Sequence, residues 1–260
     1  GDFQGAQFHT ARWDHGAPLK GKRVGMVGTG ASGMQVGPSI VDDVAQLTIF
    51  QRSPHWAIKN ALYFSEVSEG KKWALKNLPH YAQWYRFQLF WASADGLYPH
   101  LKVDPSWPQP DLSLNAANHE IRQNLIAHIT REVGGDPELI RKAVPMFPPY
   151  GKRMLRDNHW YRMLTNPKVN LVTDGIERVL PHGVRTRDGQ EHTLDTLVLA
   201  TGFQAGRITW PMHIEGRQGS LRERWGDDDP RAYMGLTVPS FPNFFVMFGP
   251  NTTLAHGGSA

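Results

Sequence analysis

The stretch Val24-Gly-Met-Val-Gly-Thr-Gly-Ala-Ser-Gly33 decides the fold of this chain. A short buried-type strand comes first, and a glycine turn of the pattern GxGxxG follows it directly. A helix is predicted from about Ala31 to Val44, although Gly37 and Pro38 should bend or weaken it. Leu47-Thr-Ile-Phe50 is the next predicted strand, so the three elements form a β-α-β unit.

Each glycine of such a turn has its own task. Gly28 permits the tight bend, Gly30 lets the backbone approach a pyrophosphate, and Gly33 lets the helix pack close to the strand. The helix N-terminus then offers N–H groups and a positive dipole end to the phosphates. A lone GxGxxG can also be a flexible loop, but here a strand precedes it and a helix follows. We predict a dinucleotide site that also includes Thr29 and Ser32.

The end of the second strand indicates which dinucleotide binds. NAD enzymes usually carry an acidic residue there, whereas this chain has Gln51-Arg52-Ser53. An acid would repel a 2′-phosphate, while Arg52 can pair with it in a fork and Ser53 adds a neutral donor. The alternative is that Arg52 is a solvated surface arginine; its place at the strand end favours NADP.

Composition and charge exclude several other classes of protein. The chain has 260 residues, 40% of them hydrophobic and 20% charged, which is typical of one or two globular domains. The net charge of +4 is spread along the chain, so nucleic acid is not an expected partner. There is no cysteine, and the 12 histidines show no metal-ligand spacing, so no metal site is expected. The apolar runs are too short for a membrane span and no signal segment is seen, so we expect a cytoplasmic protein.

Between about Phe64 and Lys142 the pattern is helical. One regular apolar stripe ends at Gly134-Gly135, and Asp136-Pro137 has the residue types of a helix start. Five aromatic residues recur at roughly helical spacing and are expected to be core rather than a substrate box: Trp73, Trp84, Phe87, Phe90 and Trp91. We interpret the region as a helical insertion. Strand signals return at residues 169–172 and 197–200, with a hairpin around Asp188-Gly189 between them.

A second pattern lies upstream of the glycine turn. Phe3, Gly5, His9 and Trp13 form FxGxxxHxxxW, which Asp14 follows. This pattern resembles the fingerprint of type I Baeyer–Villiger monooxygenases. An isolated histidine is more often a structural hydrogen-bonding residue than a catalyst. The resemblance implies that the motif lies at the hinge between the flavin and NADP domains, where it would have a conformational role.

The resemblance also assigns roles to Lys152-Arg153. A Lys-Arg pair taken alone is usually a solvated surface feature. In Baeyer–Villiger enzymes this loop carries a lysine for the 2′-phosphate and then an arginine beside the flavin. The resemblance therefore implies that Lys152 assists Arg52, and that Arg153 is a catalytic residue which stabilises an anionic peroxyflavin. A permanently charged guanidinium in a dry site is a suitable anion stabiliser.

Further segments support the resemblance along nearly the whole chain. The run from Asp195 to Ala200-Thr201-Gly202-Phe203 is similar to the element that links the NADP domain back to the flavin domain, which adds Thr201 and Gly202 to the candidate cofactor-binding residues. A buried strand with a glycine turn is the plainer interpretation, and both can hold. Segments 147–158, 233–245 and 249–259 look like the subgroup that contains 4-hydroxyacetophenone monooxygenase.

The expected fold is α/β: a three-layer, Rossmann-like NADP domain with a helical insertion and part of a second, FAD-binding domain. The expected organisation is a fingerprint linker at 1–20, the NADP domain at 21–63 and 146–202, the insertion at 64–145, and an incomplete FAD domain at 203–260. No upstream flavin turn is present in the sequence. We therefore expect an internal fragment that is inactive alone.

The resemblance implies that the full-length parent uses FAD and NADPH to insert one oxygen atom of dioxygen beside a ketone carbonyl. The product would be an ester, formed through a peroxyflavin, and the subgroup indicates aryl ketones as substrates. Two alternatives stay open. One is a flavin monooxygenase that oxidises nitrogen or sulfur, and the other is a non-catalytic NADP-binding fragment. The ketone and dioxygen are the expected partners, and the oligomeric state is not predicted.

Overall fold

The computed structural model describes residues 2–59, 62, 64–93, 95–204, 207–226 and 229–252. The chain divides into two compact units. The first comprises Gly1–Glu69 and His100–Gly202, and the second comprises Gly70–Pro99 and Phe203–Ala260. In the part of the chain that the structure describes, no helix combines the length and apolar character needed to cross a membrane.

The described strands are β1 (Ala6–His9), β2 (Arg23–Val27), β3 (Gln46–Phe50), β4 (Ala57–Lys59), β5 (Leu155–Asp157), β6 (Val169–Val172), β7 (Ile176–Leu180), β8 (Gly183–Thr186), β9 (Glu191–Thr193), β10 (Thr196–Leu199), β11 (Glu215–Gly216) and β12 (Gly219–Ser220). The described helices are α1 (Ala31–Ile40), α2 (Glu69–Asn77), α3 (Tyr81–Ser93), α4 (Tyr98–Leu101), α5 (Ala116–Glu132), α6 (Pro137–Ala143), α7 (Trp160–Met163) and α8 (Leu221–Trp225).

The centre of the first unit is a five-stranded parallel sheet in the order β1-β10-β2-β3-β6. Alternate side chains of each strand enter different cores, as the two-residue period of a strand requires. Val24 and Met26 join a cluster with side chains of α1, α5 and α7. Leu197 packs on the other face, against the antiparallel sheet β7-β8-β9. The unit therefore has three layers, and the predicted α/β class is confirmed.

Strand order places a reversal of direction at the centre of this sheet. From β2 the chain moves outward through β3 to β6, whereas β10 returns to the opposite side of β2. Ligands of open parallel sheets bind beyond the carboxyl ends of the strands at such a switch point. The switch point lies between the ends of β2 and β10, next to Gly28 and Ala200.

The helix after the glycine turn is shorter than predicted. It ends at Ile40, and Val41–Asp43 form a turn, so the predicted end at Val44 is wrong. Pro38 has no N–H to donate, which weakens the last turn. Glycine at position 37 allows close packing of α1 on α7, because a Cβ built there would lie 3.0 Å from Met163 Sδ of α7.

The predicted end of α5 and the predicted N-cap of α6 are confirmed. Asp136 Oδ1 accepts hydrogen bonds from the N–H groups of Glu138 and Leu139 at 2.8 and 3.0 Å and starts α6. Gly134 and Gly135 have φ values of +68° and +76°, so the backbone leaves the helical conformation after α5. The sequence prediction did not include β1 or β7. The predicted domain boundaries remain predictions, and the two compact units divide the chain at other places.

The second unit contains α3 and a small core around Leu221, Trp225 and Phe241. The prediction that its aromatic stripe is core is wrong. The five side chains are 44–60% exposed: Trp73, Trp84, Phe87, Phe90 and Trp91. Trp84 and Phe87 stack with centroids 5.5 Å apart, so these rings cover each other along the helix surface. Helical spacing predicts that residues share a face, but it carries no information about what covers that face.

Candidate dinucleotide-binding site

The glycine turn is shaped by close backbone contacts on one side and open space on the other. Gly28 has a φ of +104°, and a Cβ built on it would lie 2.5 Å from the carbonyl oxygen of Ala200. A Cβ on Gly33 would lie 2.4 Å from the carbonyl oxygen of Gly28. Among the described residues that are not its neighbours along the chain, none has an atom within 4 Å of a Cβ built on Gly30. Gly28 and Gly33 are therefore required by the fold, whereas Gly30 faces room for a ligand.

The N-terminus of α1 is suited to bind an anion. Gly30 is the N-cap residue and supplies no side-chain cap to the helix. The first N–H groups of a helix have no partner within the helix, and they lie at the positive end of its dipole. Ser32 lies half-buried in this first turn. The arrangement fits a pyrophosphate seated on the turn.

Three candidate residues from distant parts of the chain meet beside the turn. Thr29 is buried, and its hydroxyl donates to the carbonyl oxygen of Ser53 at 3.2 Å. Lys152 Nζ donates to Ser53 Oγ at 2.9 Å. Lys152 also lies over the ring of Phe147, with Nζ 4.7 Å from the centroid. The glycine turn, the end of β3 and the loop before β5 thus share one site.

Arg52 stands directly before Ser53 and is exposed. The preceding residue fixes the backbone there, because Gln51 N–H donates to Val172 O at 2.8 Å and its side-chain amide donates to Lys142 O at 2.7 Å. Arg52 forms no ion pair with any side chain of the described ranges. Two cations, Arg52 and Lys152, therefore flank Ser53, and the end of β3 carries no acid.

His55 is a neighbour of this site that the sequence interpretation missed. Partial burial lowers the pKa of His55, and repulsion from the Lys152 ammonium lowers that pKa further. The carbonyl oxygen of His55 accepts a hydrogen bond from the hydroxyl of Tyr161 at 3.0 Å. Burial raises the pKa of Tyr161, so this hydroxyl stays protonated and keeps donating. The position of His55 three residues after Arg52 was the available signal.

The remaining candidates lie at the same edge or in the same loop. Thr201 and Gly202 follow β10 and are exposed, with Gly202 at a φ of +85°. Arg153 follows Lys152 in the loop before β5 and is exposed. It forms no ion pair within the described residues. The catalytic role of Arg153 stays a prediction.

The fingerprint residues build the edge of the sheet. His9 ends β1, and its Nδ1 accepts a hydrogen bond from Ala11 N–H at 3.0 Å, which caps the short 3-10 helix Thr10–Arg12. The rings of Phe8 and Trp13 meet edge to face, 4.9 Å apart. A Cβ on Gly5 would lie 2.3 Å from Asp195 O, so glycine is needed there. These contacts support the structural interpretation of the motif, and the hinge role stays a prediction.

A bidentate ion pair ties the first residue of β2 to the residue before β10. Arg23 Nη2 donates to Asp195 Oδ1 at 2.7 Å, and Arg23 Nε donates to Asp195 Oδ2 at 3.1 Å. The backbone N–H of Arg23 also donates to Asp195 Oδ2, at 2.8 Å. These hydrogen bonds lower the pKa of Asp195 to about 2. Within the described residues, no group of three or more His, Cys, Asp or Glu side chains could hold a metal ion.

This geometry defines the class of the fold: a dinucleotide-binding α/β domain of the kind found in Baeyer–Villiger monooxygenase structures. Cyclohexanone monooxygenase from Rhodococcus sp. Phi1 bound to NADP+ matches with a TM-score of 0.73 and 29% identity, over 96% of this chain and 51% of that chain. OTEMO in complex with FAD and NADP matches with a TM-score of 0.75 and 29% identity, over 96% of this chain and 52% of that chain.

Sequence relatives point the same way. An uncharacterized monooxygenase of Sinorhizobium fredii is 42% identical over 99% of this chain and 39% of its own length. A Baeyer–Villiger monooxygenase of Pseudomonas aeruginosa is 33% identical over 98% of this chain and 46% of its own length. The chain thus spans less than half the length of these two relatives, and no protein-family model matches it. Homologues named Baeyer–Villiger monooxygenases confirm the resemblance to this class of enzyme, without its subgroup.

Proposed function

We propose that this chain is the NADPH-binding part of a longer, FAD- and NADPH-dependent monooxygenase that converts a ketone to an ester. The observation that carries the proposal is the contact of Lys152 Nζ with Ser53 Oγ, 2.9 Å, at the end of β3. This contact supports a second cation next to Ser53, the residue that follows Arg52, in the region where an NAD enzyme would carry an acid. The similarity to a cyclohexanone monooxygenase bound to NADP+ supports the same assignment.

The residues present fit NADPH. The open space at Gly30 and the uncapped N-terminus of α1 would receive the pyrophosphate, and the Thr29–Ser53 hydrogen bond would keep the turn closed against the end of β3. Arg52 would bind the 2′-phosphate through its planar fork, and Lys152 through a compact ammonium. NADH would leave both cations without an anionic partner, so the site favours NADPH.

FAD, when bound, supplies the oxidation chemistry by accepting a hydride from NADPH and passing one oxygen atom of dioxygen to the substrate. This chain would contribute Thr201 and Gly202 beyond β10, while the longer parent would supply the remaining flavin contacts. Arg153 would lie near the flavin and hold a fixed positive charge there. A guanidinium stays charged at any working pH, so it is ready when a negative charge develops.

The substrate assignment is a ketone, and by the resemblance of segments 147–158 and 233–245 an aryl ketone. Part of the third supporting segment, residues 253–259, lies outside the described residues. Oxidation of nitrogen or sulfur by the same cofactors is the competing activity. A cytoplasmic location remains a prediction.

Two measurements test the proposal. Titration of the 260-residue chain with NADPH and NADH should give tighter binding of NADPH, and equal affinities would reject the coenzyme assignment. The full-length parent, supplied with NADPH, air and an aryl methyl ketone, should form the ester. Formation of an N-oxide or sulfoxide from matched amine or sulfide substrates, with no ester, would favour the competing activity.

A further inference from the structure

A buried row of donors holds the segment that leads to Lys152. The side-chain amide of Asn118, on α5, donates to Pro149 O at 3.2 Å, and Asn118 is fully buried. One turn along the same helix, Arg122 Nη2 donates to Pro145 O at 3.4 Å, and Arg122 is also buried. The indole N–H of Trp56 donates to the carbonyl between them, Phe147 O, at 2.9 Å. Every second carbonyl from 145 to 149 is therefore held by a buried side chain.

The segment needs such support because it cannot form a regular ladder. Pro145, Pro148 and Pro149 have no N–H to donate, so the segment cannot pair as a sheet strand or continue a helix. Its buried carbonyl groups must then find side-chain donors. Asn118 and Arg122 are four residues apart, so α5 presents both donors on one face.

The held segment connects directly to the candidate phosphate-binding cation. Trp56 donates to the carbonyl group of Phe147, and Lys152 Nζ lies 4.7 Å from the centroid of the Phe147 ring. Gly151 N–H donates to Pro148 O at 2.9 Å, which closes the turn before Lys152. Lys152 then reaches Ser53 Oγ at 2.9 Å. A continuous set of contacts thus runs from α5 to the end of β3.

Arg122 is more than a packing residue. Its guanidinium lies 5.4 Å from the centroid of the Trp56 ring, and its Nε is buried and finds no hydrogen-bond partner among the described residues. It pairs with no carboxylate in the described part of the chain, and burial lowers its pKa. Burying a charge is costly, and an apolar residue of similar volume would serve packing at lower cost. The observed residue supplies a donor to Pro145 that an apolar residue lacks.

We propose that Asn118 and Arg122 are positioning residues for coenzyme selection: they hold segment 145–151 so that Lys152 stands at Ser53 to receive the 2′-phosphate of NADPH. This inference rests on the proposed function. It assigns to α5, a helix remote in sequence from both the glycine turn and Arg52, a part in the choice between NADPH and NADH.

The experiment compares dissociation constants for NADPH and NADH in the 260-residue chain. Asn118→Leu should weaken NADPH binding about ten-fold while changing NADH binding less than about two-fold, because only NADPH uses Lys152. Asn124→Leu is the matched control, since Asn124 is exposed on the same helix. Equal weakening of both coenzymes, or no change in either, would overturn the inference.

A double variant separates positioning from general loosening. If Asn118 acts through Lys152, Asn118→Leu in a Lys152→Ala background should cost no further NADPH affinity. Additive losses would contradict the proposal. Should Asn118→Leu fail to fold by circular dichroism, Arg122→Met and Arg122→Lys replace it. The methionine should lose selectivity and the lysine, which keeps a charged donor, should retain part of it; equal selectivity in both would reject the proposal.

The two proposals fail in different ways. A wild-type chain without preference for NADPH would reject the proposed function before any variant is made. A wild-type preference that survives unchanged in the folded Asn118 and Arg122 variants would reject only the role of α5.

Discussion

Lys152 and Ser53 are separated by 99 positions in the sequence, yet Lys152 Nζ donates a hydrogen bond to Ser53 Oγ at 2.9 Å. The contact joins the loop before β5 to the segment after β3. The strands that follow these two segments, β5 and β4, pair in parallel. The contact turns two sequence patterns, each of which also occurs on ordinary protein surfaces, into one cationic site beside a glycine turn.

The first prediction concerns the two cations. Arg52→Ala and Lys152→Ala should each weaken NADPH binding by about 1.5–3 kcal/mol, because each removes a charge-assisted contact. NADH binding should change little. Isothermal titration of both coenzymes measures the effect, with Lys20→Ala as a control for loss of an exposed charge. Variants that lose NADPH and NADH affinity equally would show that these cations do not contact the 2′-phosphate.

The glycines of the turn should separate folding from binding. Gly28→Ala should destabilise the chain by roughly 2–4 kcal/mol, since its φ is +104° and the new Cβ would approach Ala200 O to 2.5 Å. Gly30→Ala should leave stability within about 1 kcal/mol, because its φ is −75° and the new Cβ meets open space. It should nevertheless weaken NADPH binding by obstructing the pyrophosphate. Thermal unfolding and coenzyme titration distinguish the two; a Gly30→Ala chain that binds NADPH normally would remove the pyrophosphate from this turn.

The Arg23–Asp195 pair should make stability depend on pH in the acid range. The pKa of Asp195 is lowered to about 2 in the folded chain, against about 3.9 for an unfolded aspartate. The stabilisation is therefore present above about pH 4 and is lost as pH falls toward 2. Since the pair is partly exposed, Asp195→Asn should cost about 1 kcal/mol or less at pH 7.

Urea unfolding of wild type and Asp195→Asn between about pH 7 and pH 3 would measure this difference. It should shrink as the pH decreases; Asp42→Asn, at an exposed position after α1, controls for the loss of one surface carboxylate. A difference that grows on acidification would have the wrong sign for a carboxyl group with a lowered pKa.

The role of Arg153 can be tested in the full-length parent. If its charge is needed only after dioxygen has reacted, Arg153→Ala should still let NADPH reduce the flavin, yet it should form little ester. Loss of a preorganised charge partner typically costs about 3 kcal/mol or more in the affected step. Anaerobic stopped-flow measures reduction, and product analysis under air measures ester. Arg153→Lys should rescue poorly, because an ammonium lacks the planar fork; wild-type ester formation by Arg153→Ala would make Arg153 a surface residue.

The proposed function assigns most flavin contacts to the longer parent, so the isolated chain should retain little FAD. Gel filtration after incubation with FAD, followed by absorbance at the flavin band, measures the bound fraction. Stoichiometric FAD in the protein peak would contradict this prediction.

Several features of the fold could be predicted from the sequence because they depend on neighbours along the chain. The strand, glycine turn and helix at 24–40 depend on local steric and capping rules, and so does the Asp136 cap of α6. The missing acid after β3 is likewise visible as Arg52 in the sequence itself. The end of α1 lies at Ile40 rather than at Val44, since a proline weakens a helix without fixing its last residue.

Other features were decided only by tertiary structure. His9 became a strand end and a cap because β1 pairs with β10, a strand from the far end of the first unit, with Phe8 opposite Val198. The aromatic residues of α3 are exposed because periodicity defines a face and not its covering.

The candidate site shows the same division. The residue types alone determined which side chains could bind a phosphorylated dinucleotide, because charge, hydrogen-bonding groups and backbone freedom are fixed by the type of amino acid. Only the tertiary structure decided that Lys152 stands at Ser53 and that Asn118 and Arg122 hold the segment before it. Those contacts join segments far apart in sequence, and their distances depend on how the parallel strands and α5 pack.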